Sequence, residues 1–205
     1  MAAVKPSPTG AVLALAAELR AAGRDLISLG AGEPDFDTPP HIRAAGVAAI
    51  NAGDTKYTPI DGTAELKAAI QRKFERENQL AYEPSQIIVT SGAKQALFNL
   101  CMAFLGPGDE AIVPAPYWVS YPDMVRLAGA EPVLVEAGID KDFKISASQL
   151  EAAITDRTKL FILNSPSNPT GASYSRAELQ ALGAVLQSHE GIVVLSDDIY
   201  EHIHW

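Results

Sequence analysis

Four short groups of polar, glycine and aromatic residues each follow an apolar run that is typical of a β-strand. They are Ser91–Lys94, Pro116–Trp118, Asn164–Gly171 and Asp197–Tyr200. If these runs are parallel strands, their carboxyl ends meet at one edge of the sheet, where open α/β sheets bind their ligands. The four groups are therefore candidates for one shared site, and their chemistry suits an anion attached to a flat polar ring.

The group Ser91–Lys94 joins an apolar run to a predicted helix and combines small residues with a lysine. A small-residue turn before a helix exposes backbone N–H groups at the positive end of the helix dipole, which is an arrangement that binds phosphate. Lys94 can add a positive charge to this arrangement. An ordinary tight turn uses the same residue types, so that alternative stays open for this group.

Each of the other three groups also has a structural alternative. Asn168, in a loop stiffened by prolines, can present its amide to a ring oxygen or a carboxylate, or it can simply form a turn. Asp197 can pair with a protonated ring nitrogen, with Tyr200 offering a phenol to the same ligand, or it can be a capping residue. Trp118 can stack on a heteroaromatic ring or belong to the core.

Alternating strands and helices from about residue 87 onward predict an α/β architecture. Five runs are apolar on both faces, as in a parallel sheet covered on both sides: Ile87–Thr90, Ala111–Pro114, Val133–Glu136, Lys159–Leu163 and Ile192–Ser196. Ser175 and Glu178 have the spacing of a capping box that starts one intervening helix. Earlier in the chain, the pattern predicts a helix N-capped by Thr38, another beginning around Thr63, and no buried strand.

Composition narrows the possible partners. The 205 residues carry 16 Lys and Arg against 25 Asp and Glu, a net charge of -9. Such a surface lacks the dense cationic footprint that nucleic acid or an anionic membrane requires, so a small-molecule partner is expected. Cys101 is the only cysteine, which excludes a disulfide within the chain.

No apolar run approaches the roughly 20 residues that a membrane-spanning helix needs. The stretch Ala11–Ala17 is expected to form an amphipathic helix and not an export signal, so a cytoplasmic location is expected. His202 and His204 have metal-like spacing, yet no other ligand lies near them in sequence, and no metal site is expected there.

Pyridoxal 5′-phosphate (PLP) has a phosphate, a planar ring, a phenolic oxygen and a pyridine nitrogen, and the four groups offer one partner to each. Six segments also resemble, in order, motifs of the class I aminotransferases: GAGEPDFDTP, KYTPIDG, VTSGAKQALFN, PAPYWVSYP, NSPSNPTG and LSDDIYEH. They cover the chain from about residue 28 to its end, and together they are specific. The likeness is greatest to the bacterial aspartate aminotransferases that include aspartate/prephenate aminotransferases.

The resemblance implies roles for individual residues around the ring. Asp197 would pair with the pyridine N–H and keep it protonated, and Trp118 would stack on the ring beside the substrate. Tyr200 and Asn168 would hold the phenolic oxygen, and Asn168 would also reach the substrate carboxylate.

It implies further roles at the phosphate and the substrate. The phosphate would be wrapped by Gly92, Ala93 and Lys94, and Tyr57 would reach the phosphate of the neighbouring subunit across a homodimer interface. Gly32 would bring its backbone close to the substrate, and Lys5 would contact the distal carboxylate of a dicarboxylic or prephenate-like substrate.

At the level of the fold, the resemblance implies an incomplete large domain of the PLP-dependent transferase type (fold type I), with the N-terminal part of the small domain. Residues 1–38 would form the N-terminal arm and small-domain contribution, and residues 39–205 the first part of the PLP-binding large domain. The expected reaction is transamination between aspartate, or a related dicarboxylic amino acid, and 2-oxoglutarate; whether prephenate is also used stays open.

The lysine that would form the Schiff base is expected beyond Trp205, so no catalytic residue is expected within this chain. The chain alone is expected to be inactive and to be part of a longer enzyme, because the proton shift at the substrate would lack its base. Two alternatives are a noncatalytic fragment with this fold and a PLP-dependent lyase, since the same cofactor serves several reactions.

Overall fold

The computed structural model describes residues 8–30 and 32–203, which form two compact units, residues 8–92 and 93–203. The predicted boundary between residues 38 and 39 separates domains of the full-length protein and not compact units of this chain, so it stays a prediction. Within the described residues, none of the helices combines the length and the apolar character required to cross a bilayer.

The unit of residues 8–92 is helical, as the sequence predicts. Its helices are α1 (Pro8–Ala21), α2 (Pro40–Asn51) and α3 (Ala64–Lys73), followed by a π-helical turn at Phe74–Asn78 and a 3-10 turn at Pro84–Gln86. Helix α3 begins next to Thr63, as predicted, and Thr63 is its N-cap, with its hydroxyl accepting a hydrogen bond from the Leu66 N–H at 3.3 Å. The predicted cap of α2, Thr38, is one residue early: Pro39 is the N-cap and Pro40 the first helical residue, where a missing N–H costs nothing.

The unit of residues 93–203 is an α/β sandwich. Its helices are α4 (Ala93–Phe104), α5 (Ser120–Leu127), α6 (Ala147–Ala153) and α7 (Arg176–Gln187), and its strands are β1 (Glu110–Ala115), β2 (Glu131–Glu136), β3 (Thr158–Asn164) and β4 (Val193–Asp197). The four strands pair in the order β2-β1-β3-β4, and every pair is parallel. The predicted capping box at Ser175 and Glu178 is confirmed at the start of α7.

Alternate residues of the central strands enter two separate cores. Ala111 and Val113 of β1 pack in a cluster with residues of α4 and α5, whereas Ile112 between them packs in a second cluster with Leu150 of α6 and Leu182 of α7. The sheet is therefore covered by helices on both faces, which explains why its strands are apolar runs without polar alternation.

One predicted strand is wrong. The segment Ile87–Thr90 is not a strand, and among the described residues the sheet consists of β1–β4 alone. Its backbone makes isolated hydrogen bonds instead of a ladder: the Ile87 N–H donates to the Pro84 carbonyl at 3.3 Å, the Val89 N–H donates to the Asp61 carbonyl at 3.1 Å, and the Thr90 carbonyl accepts from the Gly92 N–H at 2.8 Å. An apolar run indicates a tendency to be buried, but a strand also requires a neighbouring strand that pairs with its backbone. Ile88 in this run is not buried either, since 71% of its surface is exposed.

Candidate active site

The carboxylate of Asp197 is the centre of a hydrogen-bonded cluster at the carboxyl edge of the sheet. Asp197 ends β4 and pairs in register with Asn164, which ends β3. Its Oδ2 accepts a hydrogen bond of 2.7 Å from the Tyr121 hydroxyl, and its Oδ1 accepts one of 3.2 Å from the Ile199 N–H. The second bond is local, as expected if Asp197 is only a capping residue, whereas the first joins distant parts of the chain.

Tyr121 lies in α5 with 3% of its surface exposed. Burial raises the pKa of its phenol, and the hydrogen bond to Asp197 and the charges of Asp197 and Tyr200 raise it further. The phenol therefore keeps its proton at neutral pH and remains a donor, which fixes the carboxylate of Asp197 as the acceptor of this bond.

Asn164 connects Asp197 to the loop that carries Asn168. Its Nδ2 donates to the backbone carbonyl of Asp197 at 2.9 Å, and its Oδ1 accepts from the Asn168 N–H at 2.8 Å. Asn168 in turn donates from Nδ2 to the Tyr200 hydroxyl at 3.2 Å. The amide and the phenol that the sequence assigns to one ring oxygen are therefore adjacent.

Lys94 and Trp118 extend the cluster on its other side. The Lys94 ammonium lies 4.9 Å from the centroid of the Trp118 ring, a cation–π distance. Trp118 meets Tyr121 edge to face, with 5.4 Å between ring centroids and an interplanar angle of 82°. An unbroken series of contacts thus runs from Lys94 through Trp118, Tyr121, Asp197, Asn164 and Asn168 to Tyr200.

Gly92 forms the turn that precedes α4. Its φ of +87° lies in the left-handed region, although a Cβ there would meet no atom within 4 Å, so the backbone conformation is what favours glycine. Its N–H donates to the Thr90 carbonyl at 2.8 Å. Ala93 and Lys94 follow as the first residues of α4, whose first-turn N–H groups have no partner within the helix.

Three further site residues were predicted from the resemblance, Gly32, Tyr57 and Lys5. Gly32 and Tyr57 belong to the unit of residues 8–92, where Tyr57 is fully exposed. Lys5 lies outside the described residues, as does His204. His202 is exposed, with Nε2 3.4 Å from Oε1 of Glu201. The roles of Gly32, Tyr57 and Lys5 stay predictions.

Sequence reasoning missed two members of the cluster, Tyr121 and Asn164. Tyr121 is the last tyrosine of the segment PYWVSY, three residues after Trp118, and Asn164 opens the loop NSPSNPTG. One signal was available: three residues is close to a helical turn, so a helix starting near Trp118 brings residue 121 to the same side.

Comparison with known proteins agrees with the fold. Residues 24–205 match the family described as aminotransferase class I and II. The chain is 63% identical to an aspartate/prephenate aminotransferase of Cereibacter sphaeroides and 59% identical to one of Nitrosomonas europaea, covering 99% and 98% of this chain and 51% of each relative.

Solved structures give the same result. The aspartate aminotransferase of Rhizobium meliloti superposes with a TM-score of 0.95 at 51% identity, over 100% of this chain and 51% of that one. The aspartate aminotransferase of Thermus thermophilus with maleate superposes with a TM-score of 0.92 at 51% identity, over 95% of this chain and 51% of that one.

The parallel sheet with its polar cluster at the carboxyl edge defines the chain as an α/β protein of the aspartate aminotransferase fold, fold type I. The chain belongs to the aminotransferase class I and II family. It spans about half the length of the curated relatives it matches.

Proposed function

We propose that the full-length protein carrying this chain is a PLP-dependent aminotransferase. It moves the amino group of aspartate, or of a related dicarboxylic amino acid, to 2-oxoglutarate, and it also accepts prephenate. The contact series from Lys94 to Tyr200 carries this proposal. The relatives are named aspartate/prephenate aminotransferases, which supports the substrate class.

The donors and acceptors in the cluster fit PLP. Each oxygen of the Asp197 carboxylate accepts one hydrogen bond here, from Tyr121 and from Ile199, and each has a second lone pair for a ring N–H. Asn168 and Tyr200 offer an amide and a phenol 3.2 Å apart to one phenolic oxygen. The turn at Gly92 leads into the α4 N-terminus, where backbone N–H groups suit a phosphate.

When bound, PLP supplies an electron sink for the carbanion at the substrate Cα. Asp197 holds a proton on the pyridine nitrogen, since a carboxylate beside that nitrogen favours its charged form. Tyr121 keeps the carboxylate oriented toward the ring. Trp118 covers one ring face, and Asn168 also binds the substrate carboxylate.

The remaining parts of the proposal concern the whole protein. Gly92, Ala93 and Lys94 bind the phosphate together with Tyr57 of a second subunit, in a homodimer located in the cytoplasm. Gly32 and Lys5 contact the substrate. Residues 1–38 form the arm and small-domain contribution, and residues 39–205 begin the large domain. The lysine that transfers the proton belongs to the other half of the full-length protein, since this chain covers only 51% of its relative.

The test is amino-group transfer by the full-length protein. With aspartate and 2-oxoglutarate, it should form oxaloacetate and glutamate in equal amounts, and the Asp197→Asn variant should lose most of this activity. Replacing aspartate by glutamate, with prephenate as acceptor, tests the second substrate. No transfer from aspartate or glutamate would overturn the proposal, and ammonia release without consumption of 2-oxoglutarate would indicate a lyase.

A further inference from the structure

Lys67 in α3 is a buried lysine with 7% of its surface exposed, the one buried lysine among the described residues. A buried ammonium group is costly unless it is paired. It donates a hydrogen bond to Oδ2 of Asp61, whose side chain is 49% exposed. None of the described residues that neighbour Lys67 in sequence belongs to the cluster around Asp197, so this ion pair needs a separate explanation.

Asp61 lies at the base of the loop Lys56–Gly62, and three contacts fix that base. Besides the ion pair, the Asp61 carbonyl accepts a hydrogen bond of 3.1 Å from the Val89 N–H. Gly62 has a φ of +106°, and a Cβ there would lie 2.5 Å from Cγ2 of Val89 and 3.8 Å from Cγ of Lys67. The backbone at the base is therefore packed directly against the side chain of Val89, with the stem of Lys67 next to it.

Two other residues of the same loop, Tyr57 and Ile60, are fully exposed, at 107% and 102%. Tyr57 is only four residues from Asp61, a span of at most roughly 14 Å, and Pro59 between them restricts the backbone further. Fixing Asp61 therefore limits where the phenol of Tyr57 can be.

We propose that Lys67 is a positioning residue that, through Asp61, fixes the loop Lys56–Gly62 so that Tyr57 is presented to the cofactor phosphate of a second copy of this chain. This inference rests on the proposed function for the role of Tyr57. In this proposal Lys67 does not contact the cofactor itself. Its charge sets the affinity of the partner's site for PLP.

Lys67→Met is the informative variant. It keeps the buried stem and removes the ammonium, and it leaves Asp61 half exposed and solvated, so the unit should still fold. Asp61→Asn would be less useful because it leaves the buried Lys67 charge unpaired. Lys73→Met is the matched control, since Lys73 is on the same helix and pairs with Asn78 at 2.9 Å and Glu77 at 3.7 Å.

The first measurement is the dissociation constant of PLP from the full-length protein, by equilibrium titration, with circular dichroism as the folding control. Lys67→Met and Tyr57→Phe should each weaken binding about tenfold, the loss of one charge-assisted hydrogen bond. Lys73→Met should match the wild type. The double variant should bind no more weakly than Tyr57→Phe alone, because Lys67 acts through Tyr57.

The second measurement distributes two changes over a heterodimer with differently tagged subunits. With Asp197→Ala and Lys67→Met on one chain, the intact site of the other chain receives a displaced Tyr57 and should bind PLP weakly. With Asp197→Ala on one chain and Lys67→Met on the other, the site that keeps Asp197 receives Tyr57 from an intact loop. That site should bind PLP as tightly as it does in a dimer in which one chain carries Asp197→Ala alone.

The outcomes separate the two proposals. If the wild type binds no PLP, the proposed function fails and this inference fails with it. If Tyr57→Phe weakens binding and Lys67→Met does not, or if both heterodimers bind equally, the inference about Lys67 is overturned and the enzyme proposal stands. The same holds if Lys67→Met weakens binding while Tyr57→Phe has no effect.

Discussion

The Tyr121 hydroxyl donates a hydrogen bond of 2.7 Å to Oδ2 of Asp197, a residue 76 positions further along the chain. The bond ties the second helix of the α/β unit to the end of its edge strand, β4. Because burial raises the pKa of the phenol, the donor keeps its proton over the physiological range. Asp197 is therefore held in one orientation before any ligand binds.

Tyr121→Phe tests this orientation. The change keeps the ring and removes the donor, so Asp197 gains rotational freedom, and the PLP dissociation constant of the full-length protein should rise roughly tenfold. Tyr174→Phe is the control, because the Tyr174 hydroxyl accepts a 3.0 Å bond from the Ile145 N–H outside the contact series. Equal losses of PLP affinity in both variants would reduce Tyr121 to a purely structural role.

Asn164→Ala should destabilise the cluster. It removes the bonds to the Asp197 carbonyl and the Asn168 N–H, which leaves two half-buried backbone groups without their partner, a cost of about 2 kcal/mol in the free energy of unfolding. Asn164→Asp keeps the acceptor for Asn168 and should fall between wild type and Asn164→Ala in urea unfolding. If both variants unfold like the wild type, Asn164 does not join the two segments.

Lys94→Met should weaken the binding of PLP about tenfold and leave the binding of pyridoxal, which lacks the phosphate, nearly unchanged. The reason is that Lys94 contributes charge at the α4 N-terminus, and its contact with Trp118 contributes only about 0.5–1 kcal/mol to stability. Titration of both ligands checks this. Equal weakening of both would show that Lys94 acts through Trp118 and not on the phosphate.

Glu178 provides a pH-dependent contribution to stability away from the site. The hydrogen bond from Lys144, followed by those from the backbone and side chain of Ser175, lowers the pKa of Glu178 from 4.5 to about 2. A lowered folded-state pKa means that the stabilisation is fully present above the unfolded value of 4.5 and is lost as the pH falls toward 2.

Urea unfolding at several pH values should therefore show the wild type more stable than Glu178→Gln near pH 6. The difference should shrink steadily below pH 4.5. Glu190→Gln, at an exposed position, is the control variant. A difference that stays constant down to pH 2 would contradict the role of the Lys144–Glu178 pair.

The sequence predicted the elements that depend on local patterns. Strands β1–β4 were visible because each is an apolar run, and in the central strands β1 and β3 both faces are buried. The α7 capping box was visible because its two residues are three positions apart. The strand predicted at Ile87–Thr90 was wrong because pairing is non-local: the run shows an apolar character and not the backbone that would face it.

The site was predicted by side-chain type at strand ends, and the structure joins five of those side chains, Lys94, Trp118, Asn168, Asp197 and Tyr200, into one contact series. Tyr121 and Asn164 were missed because their partners lie far along the chain or their residue type suggests only a turn. The roles of Gly32, Tyr57 and Lys5 stay predictions, since Gly32 and Tyr57 belong to the unit of residues 8–92 and Lys5 lies outside the described residues.

The role of Asp197 is tested most directly by a PLP titration of the full-length protein with Asp197 replaced by Asn, monitored by absorbance and by equilibrium dialysis. We expect a loss of affinity of at least about a hundredfold, since an amide cannot supply the charge that keeps the ring nitrogen protonated. An unchanged dissociation constant together with an unchanged absorbance spectrum would contradict it.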